Sequence, residues 1–280
     1  MNLPEPEKEY NKSWDIAANT FFDESYSWPK ISIVTPSFNQ GMFIERTIRS
    51  ILLQKYPNLE YIIIDGLSSD SSLKIIKKYE RYLNYWVSEK DKGMYDAINK
   101  GFKISTGEIL AWSPTGDFYE LNSFFKIARA FNDNKKIHWI TSLYKIKCDE
   151  NGNELNRYKI SGFNKKSFFK GMHFKNGSKF SRYMIQQQST FWTRKLWQKI
   201  GERTDDSMSG AGDFDLWAKC FFAGFELYSI DEPIGVFMTH EGQESVSNDN
   251  QMLIDQKKSF KKYGGKFISK FENFLRKNFF

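Results

Sequence analysis

The chain has 280 residues, of which 40% are hydrophobic and 17% aromatic, and it carries a formal net charge of +7. This length and hydrophobic content are enough to form a substantial core, in either one large α/β domain or two smaller domains. No apolar run approaches the roughly 18 residues needed to span a bilayer, and the start MNLPEPEKEYNKSW lacks the apolar segment of a secretory signal. Cys148 and Cys220 lie far apart without a CxxC pattern, which argues against a disulfide framework or a structural zinc site. We therefore expect a cytoplasmic protein.

The positive charge favours an anionic partner, and nucleic acid, a phospholipid surface or a nucleotide substrate would each fit its sign. No helix-turn-helix, zinc-finger or RNP-like motif is visible, and the basic residues are spread along the chain. Nucleic acid is the weakest of the three candidates, and we predict no nucleic-acid partner.

Strand and helix patterns alternate through the first half of the chain. Residues 1–29 form an extension that ends at Trp28-Pro29. Strands are predicted in KISIVTPSF, LEYIIIDG, NYWVSE and GEILAW, and helices in MFIERTIRSILLQKY, SSDSSLKIIKKYERYL and MYDAINKGFKIS. Near-uniformly apolar strands separated by helices predict a mostly parallel sheet covered on both faces, as in nucleotide-binding α/β folds.

The second half has a different pattern. The segments IHWITSLYKIK and ELNRYKI flank an Asn151-Gly152 turn and predict a hairpin. A strand is expected in QQQSTFWT, a helix in DFDLWAKCFFAG closed by Gly224, and two short strands in FELYSIDEPIGVFMTH. Since no repeat or linker appears, we predict one domain over residues 30–245 with a mixed sheet in its second half, followed by basic amphipathic helices over 246–280.

Polar residues follow each of the first four predicted strands. They are Thr35, Ser37 and Asn39, then Asp65, then Glu89 and Asp91, and finally Asp117. Ligands bind beyond the carboxyl ends of the strands of an open parallel sheet, so these exits predict a shared cleft. Carboxylates there can accept hydrogen bonds from a ribose or base, or hold a divalent cation. The absence of GxGxxG after the first strand and of GxxxxGK[ST] anywhere argues against dinucleotide and P-loop chemistry.

Two long runs resemble family 2 of the inverting glycosyltransferases, in particular members that build bacterial surface polysaccharides. They are ISIVTPSFNQGMFIERTIRSILLQKYPNLEYIIIDGLSSDSS and SEKDKGMYDAINKGFKISTGEILAW, and the resemblance covers residues 30–240. It implies the GT-A fold and a nucleotide-sugar donor, expected to be a UDP-sugar, with a saccharide or lipid-linked acceptor. It also implies nucleoside contacts from Thr35, Ser37 and Asp65, contact of Asp91 with the uracil end, and closure of the donor pocket by Asp96 and Asn99.

The family usually ends its fourth strand with paired aspartates, whereas this chain has Pro114-Thr115-Gly116-Asp117. The resemblance implies that Asp117 binds Mn²⁺ or Mg²⁺ and that Gly116 replaces the carboxylate beside it. A plain turn residue is the alternative for Asp117. His240, in FMTHEGQESVS, matches a histidine that completes the metal site or contacts the diphosphate, and a structural role is its alternative.

The family's catalytic base is matched by Asp213 in MSGAGDFDLWAKC, where Gly212 stands in place of a frequent glutamate. Asp213 would take the proton of the acceptor hydroxyl in a transfer that inverts the anomeric carbon. Its alternative role is that of the helix N-cap. Asp215 is two residues further on, about 200° around a helix, so the two carboxylates cannot share one task.

Two other functions stay open at this point. A non-catalytic sugar-nucleotide-binding homologue is favoured by the two glycines, and a metal-dependent nucleotidyltransferase would need a Gly- and Lys/Arg-rich loop that TPSFNQGMF lacks. The tail KKSFKKYGGKFISKFENFLRKNFF combines lysines with apolar residues at helical spacing. It predicts either a packed helix or peripheral binding to the anionic inner face of the cell membrane.

Overall fold

The computed structural model describes residues 2–7, 17, 25–171, 173, 184–208, 210–240 and 249–266. The strands are β1 Ile31–Ser37, β2 Leu59–Asp65, β3 Tyr85–Ser88, β4 Ile109–Trp112, β5 Phe118–Tyr119, β6 Trp139–Ser142, β7 Tyr144–Cys148, β8 Glu154–Lys159, β9 Phe191–Thr193, β10 Tyr228–Ile230 and β11 Gly235–Met238. The α-helices are α1 Ile44–Leu52, α2 Ser72–Tyr79, α3 Met94–Ile104, α4 Ser123–Asp133, α5 Lys165–Phe168, α6 Arg194–Lys199, α7 Gly212–Phe222 and α8 Asp249–Lys262. Glu80–Tyr82 and Gln187–Ser189 form short 3₁₀ turns.

A seven-stranded sheet in the order β10-β6-β9-β4-β1-β2-β3 forms the centre of the fold. Its first-half strands β4, β1, β2 and β3 are parallel neighbours, as predicted. β9 runs antiparallel to both β4 and β6. The parallel strands therefore end at one common edge, where the candidate site residues follow them.

Helices cover both faces of this sheet because alternate residues of a strand point to opposite sides. Ile31 and Ile33 of β1 belong to the cluster that includes residues of α1, α2 and α4. Val34, which follows Ile33 and is in register with Trp112, belongs to the cluster that includes residues of α3 and α7. A Cβ at Gly101 of α3 would lie 2.4 Å from Val34 Cγ1, so this glycine lets α3 lie close against β1.

A second sheet, in the order β5-β11-β7-β8, has both parallel and antiparallel pairs, so the second half is mixed as predicted, but it forms a sheet of its own, which was not predicted. The β7–β8 hairpin around Asn151-Gly152 forms as predicted. β11 then pairs with both β7 and β5, although β5 lies more than 110 residues earlier in the chain. Local sequence patterns do not encode pairings between such distant segments, and for that reason the division into two sheets was missed.

The C-terminal helix α8 lies against α7. Met252 and Phe260 on its inner side are buried, and the outer side exposes Lys257, Lys258 and Lys261. The aromatic part of the predicted tail, from residue 267 onward, lies outside the described residues. Among the helices that the structure describes, none is long and apolar enough to cross a membrane.

Candidate active site

The nucleoside end of the predicted site lies where β1, β2 and β3 end side by side. Strand register places Ser37 beside Asp65, and Asp65 beside Ser88. The buried carboxylate of Asp65 accepts hydrogen bonds from Ser68 N at 2.9 Å, Ser68 Oγ at 2.5 Å and Ser88 Oγ at 2.7 Å. An ionised carboxylate has about four acceptor sites, so Asp65 is held in orientation by three bonds and has room for one more donor.

Asp91 lies next to the end of β2 because a glycine makes room for it. A Cβ at Gly66 would lie 2.7 Å from Asp91 Oδ2, and Asp91 Oδ1 accepts from Gly93 N at 2.9 Å. The structure therefore brings Asp65 and Asp91 together at one edge, as the polar strand exits predicted. Asp96 lies in the first turn of α3, where its Oδ2 accepts from Lys92 N at 3.1 Å.

The three other predicted nucleotide contacts are two buried hydroxyls and one partly buried amide. Thr35 is fully buried, with its Oγ1 3.1 Å from Tyr61 Oη. Ser37 is also buried, and its Oγ has no hydrogen-bond partner among the described residues. The side chain of Asn99 bonds Thr204 through both of its amide atoms. Its Nδ2 donates to Thr204 O at 3.1 Å, and its Oδ1 accepts from Thr204 N and Thr204 Oγ1, each at 2.9 Å. The nucleotide contacts of these three residues stay predictions.

The turn that contains Asp117 is held by one hydroxyl of α1. The Oγ1 of the fully buried Thr47 accepts from Gly116 N at 2.9 Å and donates to Asp117 O at 2.8 Å. Thr115 Oγ1 donates to Pro36 O at 3.0 Å, which ties the same turn to the end of β1. Asp117 therefore lies at the carboxyl edge of the large sheet, at its junction with the small sheet.

The carboxylate of Asp117 is buried, and Met238 N of β11 donates to its Oδ1 at 3.0 Å. Burial raises the pKa of Asp117 to about 7, and the Met238 amide and the guanidinium of Arg46 partly oppose this rise. Arg46 is itself buried, and its Nη2 donates to Glu150 O at 2.9 Å. Sequence reasoning missed Arg46, Thr47 and Met238, because their patterns resemble those of ordinary core positions.

His240 follows β11 and reaches the same corner of the molecule. Its ring lies 4.8 Å from that of Phe43, and Phe43 Cβ lies 3.9 Å from the position of a Cβ at Gly116. The described residues contain no group of three Asp, Glu, His or Cys side chains that could hold a metal ion. Asp117 could supply a hard oxygen of the kind that Mn²⁺ or Mg²⁺ prefers, so the residues present fit a cation only if its other ligands would come from a diphosphate and water.

Asp213 lies in the first turn of α7, next to the first turn of α3. Its backbone N donates to Tyr95 Oη at 3.3 Å, and its Oδ1 accepts from Phe214 N at 2.7 Å. Burial raises the pKa of Asp213 to about 6, while the Phe214 bond opposes the rise. The N-cap of α7 is Ala211, so the N-cap alternative for Asp213 is wrong: the helix begins two residues too early for this side chain to cap it.

Asp215 faces a different part of the molecule. It is fully buried, its carboxylate has no hydrogen bond among the described residues, and Lys262 Nζ of α8 lies 3.8 Å from its Oδ1. The separation of Asp213 from Asp215 on the helix is therefore as predicted, with Asp213 beside α3 and Asp215 beside α8.

The profile of Glycosyl transferase family 2 matches residues 32–228, which is more than half of the chain and contains the strands, turns and helices described above up to β10. The chain belongs to glycosyl transferase family 2. Its GT-A type architecture, with a large, mostly parallel sheet between helices, agrees with that membership.

Relatives of this glycosyltransferase include proteins named for the same activity. An uncharacterised glycosyltransferase of Rickettsia typhi is 27% identical over 236 residues, which are 80% of this chain and 68% of the relative. An uncharacterised glycosyltransferase of Mycobacterium tuberculosis is 37% identical over 92 residues, covering 32% of this chain and 35% of the relative. The putative teichuronic acid biosynthesis glycosyltransferase TuaG of Bacillus subtilis is 31% identical over 101 residues, covering 35% and 40% respectively. The matches thus span about a third of the length of some relatives.

Solved structures share the fold. TarS 1-349 of S. aureus, in complex with UDP-GlcNAc, has a TM-score of 0.61 at 17% identity, over 78% of this chain and 61% of that one. The mannosyltransferase PcManGT from Pyrobaculum calidifontis, in complex with GDP-Man and Mn²⁺, has a TM-score of 0.62 at 16% identity. The match covers 94% of this chain and 71% of that one.

The two glycines at which this glycosyltransferase departs from the expected family pattern have side chains packed over them. A Cβ at Gly116 would lie 2.4 Å from Met238 Cε, and Gly116 has a φ of +104°, which disfavours any other residue. A Cβ at Gly212 would lie 2.7 Å from ring atoms of Tyr95. In both places the structure fills the space into which a carboxylate side chain would begin to extend.

Proposed function

We propose that this glycosyltransferase moves a sugar from a UDP-sugar to a hydroxyl of a saccharide or lipid-linked acceptor, with inversion, in surface polysaccharide synthesis. Family membership supports glycosyl transfer. The relative named for teichuronic acid biosynthesis supports a surface polysaccharide as the product, and the fold shared with TarS, solved with UDP-GlcNAc, supports a UDP-sugar. The family assignment favours transfer of a sugar over transfer of a nucleotide.

The observation on which the proposal chiefly rests is the half-buried carboxylate of Asp213 beside α3. With a pKa of about 6, Asp213 is mostly ionised at neutral pH and yet basic enough to accept a proton. As the acceptor oxygen bonds to the anomeric carbon, its proton passes to Asp213. The bond from that carbon to the diphosphate breaks on the opposite face, and its electron pair leaves with the nucleoside diphosphate.

The residues around Asp117 would hold a divalent cation. Asp117 and His240 would bind Mn²⁺ or Mg²⁺ together with the diphosphate, and the cation would neutralise charge on the leaving group. The guanidinium of Arg46 favours the ionised form of Asp117, which is the form that binds a cation. Asp65, with one acceptor site left, would accept a hydrogen bond from the nucleoside.

The test is release of nucleoside diphosphate from a panel of UDP- and GDP-sugars with Mn²⁺, without and with saccharide acceptors. We expect turnover with a UDP-sugar, its loss in Asp213→Asn, and its retention in the matched control Asp215→Asn on the same helix. Loss in Asp215→Asn alone would assign the base to the other carboxylate. UDP binding without any release in the unsubstituted protein would support the non-catalytic homologue, and full activity in EDTA or in Asp117→Ala would contradict the metal role.

We also propose that the exposed lysine face of α8 binds the anionic inner leaflet of the cell membrane. Lys257, Lys258 and Lys261 lie on the exposed side of α8, and Lys262 is exposed at the margin of this face, where its Nζ also approaches Asp215. Basic residues near an anionic surface contribute about 1 kcal/mol each. This placement would hold the enzyme next to a lipid-linked acceptor.

A further inference from the structure

The ring of Tyr95 lies directly on the first residue of α7. A Cβ at Gly212 would come within 2.7 to 2.8 Å of the Cε1, Cζ and Cδ1 atoms of that ring. Gly212 has helical backbone and is absent from the residues with positive φ. Glycine is therefore required at position 212 for the close approach of Tyr95 and not for an unusual backbone conformation.

The hydroxyl of Tyr95 meets the next residue of the same helix. Asp213 N is one of the first amides of α7, which have no carbonyl of their own helix to bond, and it donates to Tyr95 Oη at 3.3 Å. The carboxylate of Asp213 is turned by the bond from Phe214 N to its Oδ1, at 2.7 Å. Tyr95 thus fixes the backbone on which the orientation of this carboxylate depends.

Tyr95 is itself buried, and hydrogen bonds one turn further along α3 fix the position of this helix. Tyr95 is 4% exposed, and one turn further along α3 Asn99 makes three hydrogen bonds to Thr204. Residues four apart lie on one face of a helix, so this face of α3 contacts the second half of the chain at both Thr204 and Asp213. Thr204 Oγ1 also lies 3.4 Å from Tyr95 O.

We infer that Tyr95 is a positioning residue for the candidate base, because its ring on Gly212 and its hydroxyl at the Asp213 amide set where the Asp213 carboxylate lies. This inference rests on the proposed function of Asp213. Tyr95 stands in the run SEKDKGMYDAINKG between the predicted nucleotide contacts Asp91 and Asp96, so the same helical turn serves the nucleotide side and the acceptor side of the site.

The test compares Tyr95→Ala, Tyr95→Phe, Gly212→Ala and the double variant Tyr95→Ala/Gly212→Ala. A misplacement of about 1 Å can cost on the order of 100-fold in rate, so we expect Tyr95→Ala and Gly212→Ala each to lower kcat by about 10- to 100-fold. KM for the donor and Kd for UDP should change less than about twofold, because only the base is displaced. Tyr95→Phe retains the ring and loses only the hydroxyl, whose 3.3 Å bond is weak, so its kcat should lie between those of Tyr95→Ala and the unsubstituted enzyme and closer to the latter.

The double variant shows whether Tyr95→Ala and Gly212→Ala lower kcat through their shared contact or independently of each other. If Gly212→Ala acts by displacing the Tyr95 ring, it has nothing further to displace in Tyr95→Ala, and the double variant should be no slower than either single one. Phe102→Ala is the matched control: it removes a buried aromatic ring of the same helix that packs on Trp192 and Trp197. It should lower stability with kcat within about threefold.

The inference would be overturned if the fold-losses in kcat of the two single variants multiplied in the double variant. It would also be overturned if Tyr95→Ala, destabilised as much as Phe102→Ala, kept the kcat of the unsubstituted enzyme. If Tyr95→Ala does not fold, Tyr95→Leu and Gly212→Ala give the same comparison. Turnover that survives Asp213→Asn would instead refute the proposed base. Loss of turnover in Asp213→Asn with unchanged kcat in Tyr95→Ala would refute the positioning role alone.

Discussion

Replacing Thr47 by valine should loosen the turn that presents Asp117. Valine keeps the shape of threonine but removes the hydroxyl that bonds Gly116 N at 2.9 Å and Asp117 O at 2.8 Å, both in buried surroundings. A buried polar group left without its partner costs about 1 to 3 kcal/mol. Both Gly116 N and Asp117 O lose their partner, and the Asp117 carbonyl can recover part of the loss by a small shift. We therefore expect the free energy of unfolding to fall by about 2 to 4 kcal/mol.

Urea unfolding measures this loss, and an unchanged m-value would show that the same two states are compared. Thr47→Ser is the matched control, because it retains the hydroxyl and removes one methyl group, for which we expect less than about 1.5 kcal/mol. In Thr47→Val the Mn²⁺ concentration for half-maximal donor hydrolysis should also rise, since Asp117 is less well placed. A valine variant as stable as the serine variant, with the same Mn²⁺ requirement, would refute the role given to this hydroxyl.

Three further predictions concern the nucleoside, the base and the tail. Asp65→Asn should weaken UDP binding by about 1.5 to 3 kcal/mol, the range for a bond to a charged group, and calorimetry that finds equal affinity would remove Asp65 from the site. Because Asp213 acts as a base only when ionised, and burial raises its pKa to about 6, kcat should be level above pH 6 and fall about tenfold per unit below it. A kcat that stays flat down to pH 5 would contradict the assignment. Replacing Lys257, Lys258 and Lys261 together by glutamine should reduce co-sedimentation with anionic vesicles and leave donor hydrolysis intact, because all three side chains are exposed. Co-sedimentation equal to that of the unsubstituted protein would contradict the membrane role of α8.

The sequence predicted the first half of the fold well, because there the local pattern and the final environment agree. Ile62, Ile63 and Ile64 form a continuous apolar run and are buried in a strand with helices on both faces. The helix over MYDAINKGFKIS is α3, whose apolar positions Ile98 and Phe102 face the core. Carboxylates placed after such strands meet at one edge, so the pattern alone predicted that Asp65 and Asp91 lie near each other.

The remainder of the site depends on contacts between distant parts of the chain. Met238 N reaches Asp117 only because β11 pairs with β5, and the ring that lies on Gly212 comes from Tyr95, 117 positions earlier. The sequence shows that two glycines stand where carboxylates are expected, but the side chains packed over them become visible only in three dimensions. The alternative that Asp213 caps α7 was wrong because a sequence pattern locates the end of a helix only to within one or two residues.

β9 lies between β4 and β6 in the large sheet, although it follows both in the chain. While the protein is being synthesised, β4 and β6 therefore exist for some time with open edges, and open edges invite pairing with other chains. Closing such non-local pairings is slow compared with forming helices, so insertion of β9 should come late in folding and should be the step at which aggregation competes. Trp192 of β9 enters next to Trp112, with ring centroids 5.3 Å apart. The protein's own tryptophan fluorescence should therefore report when this strand takes its place.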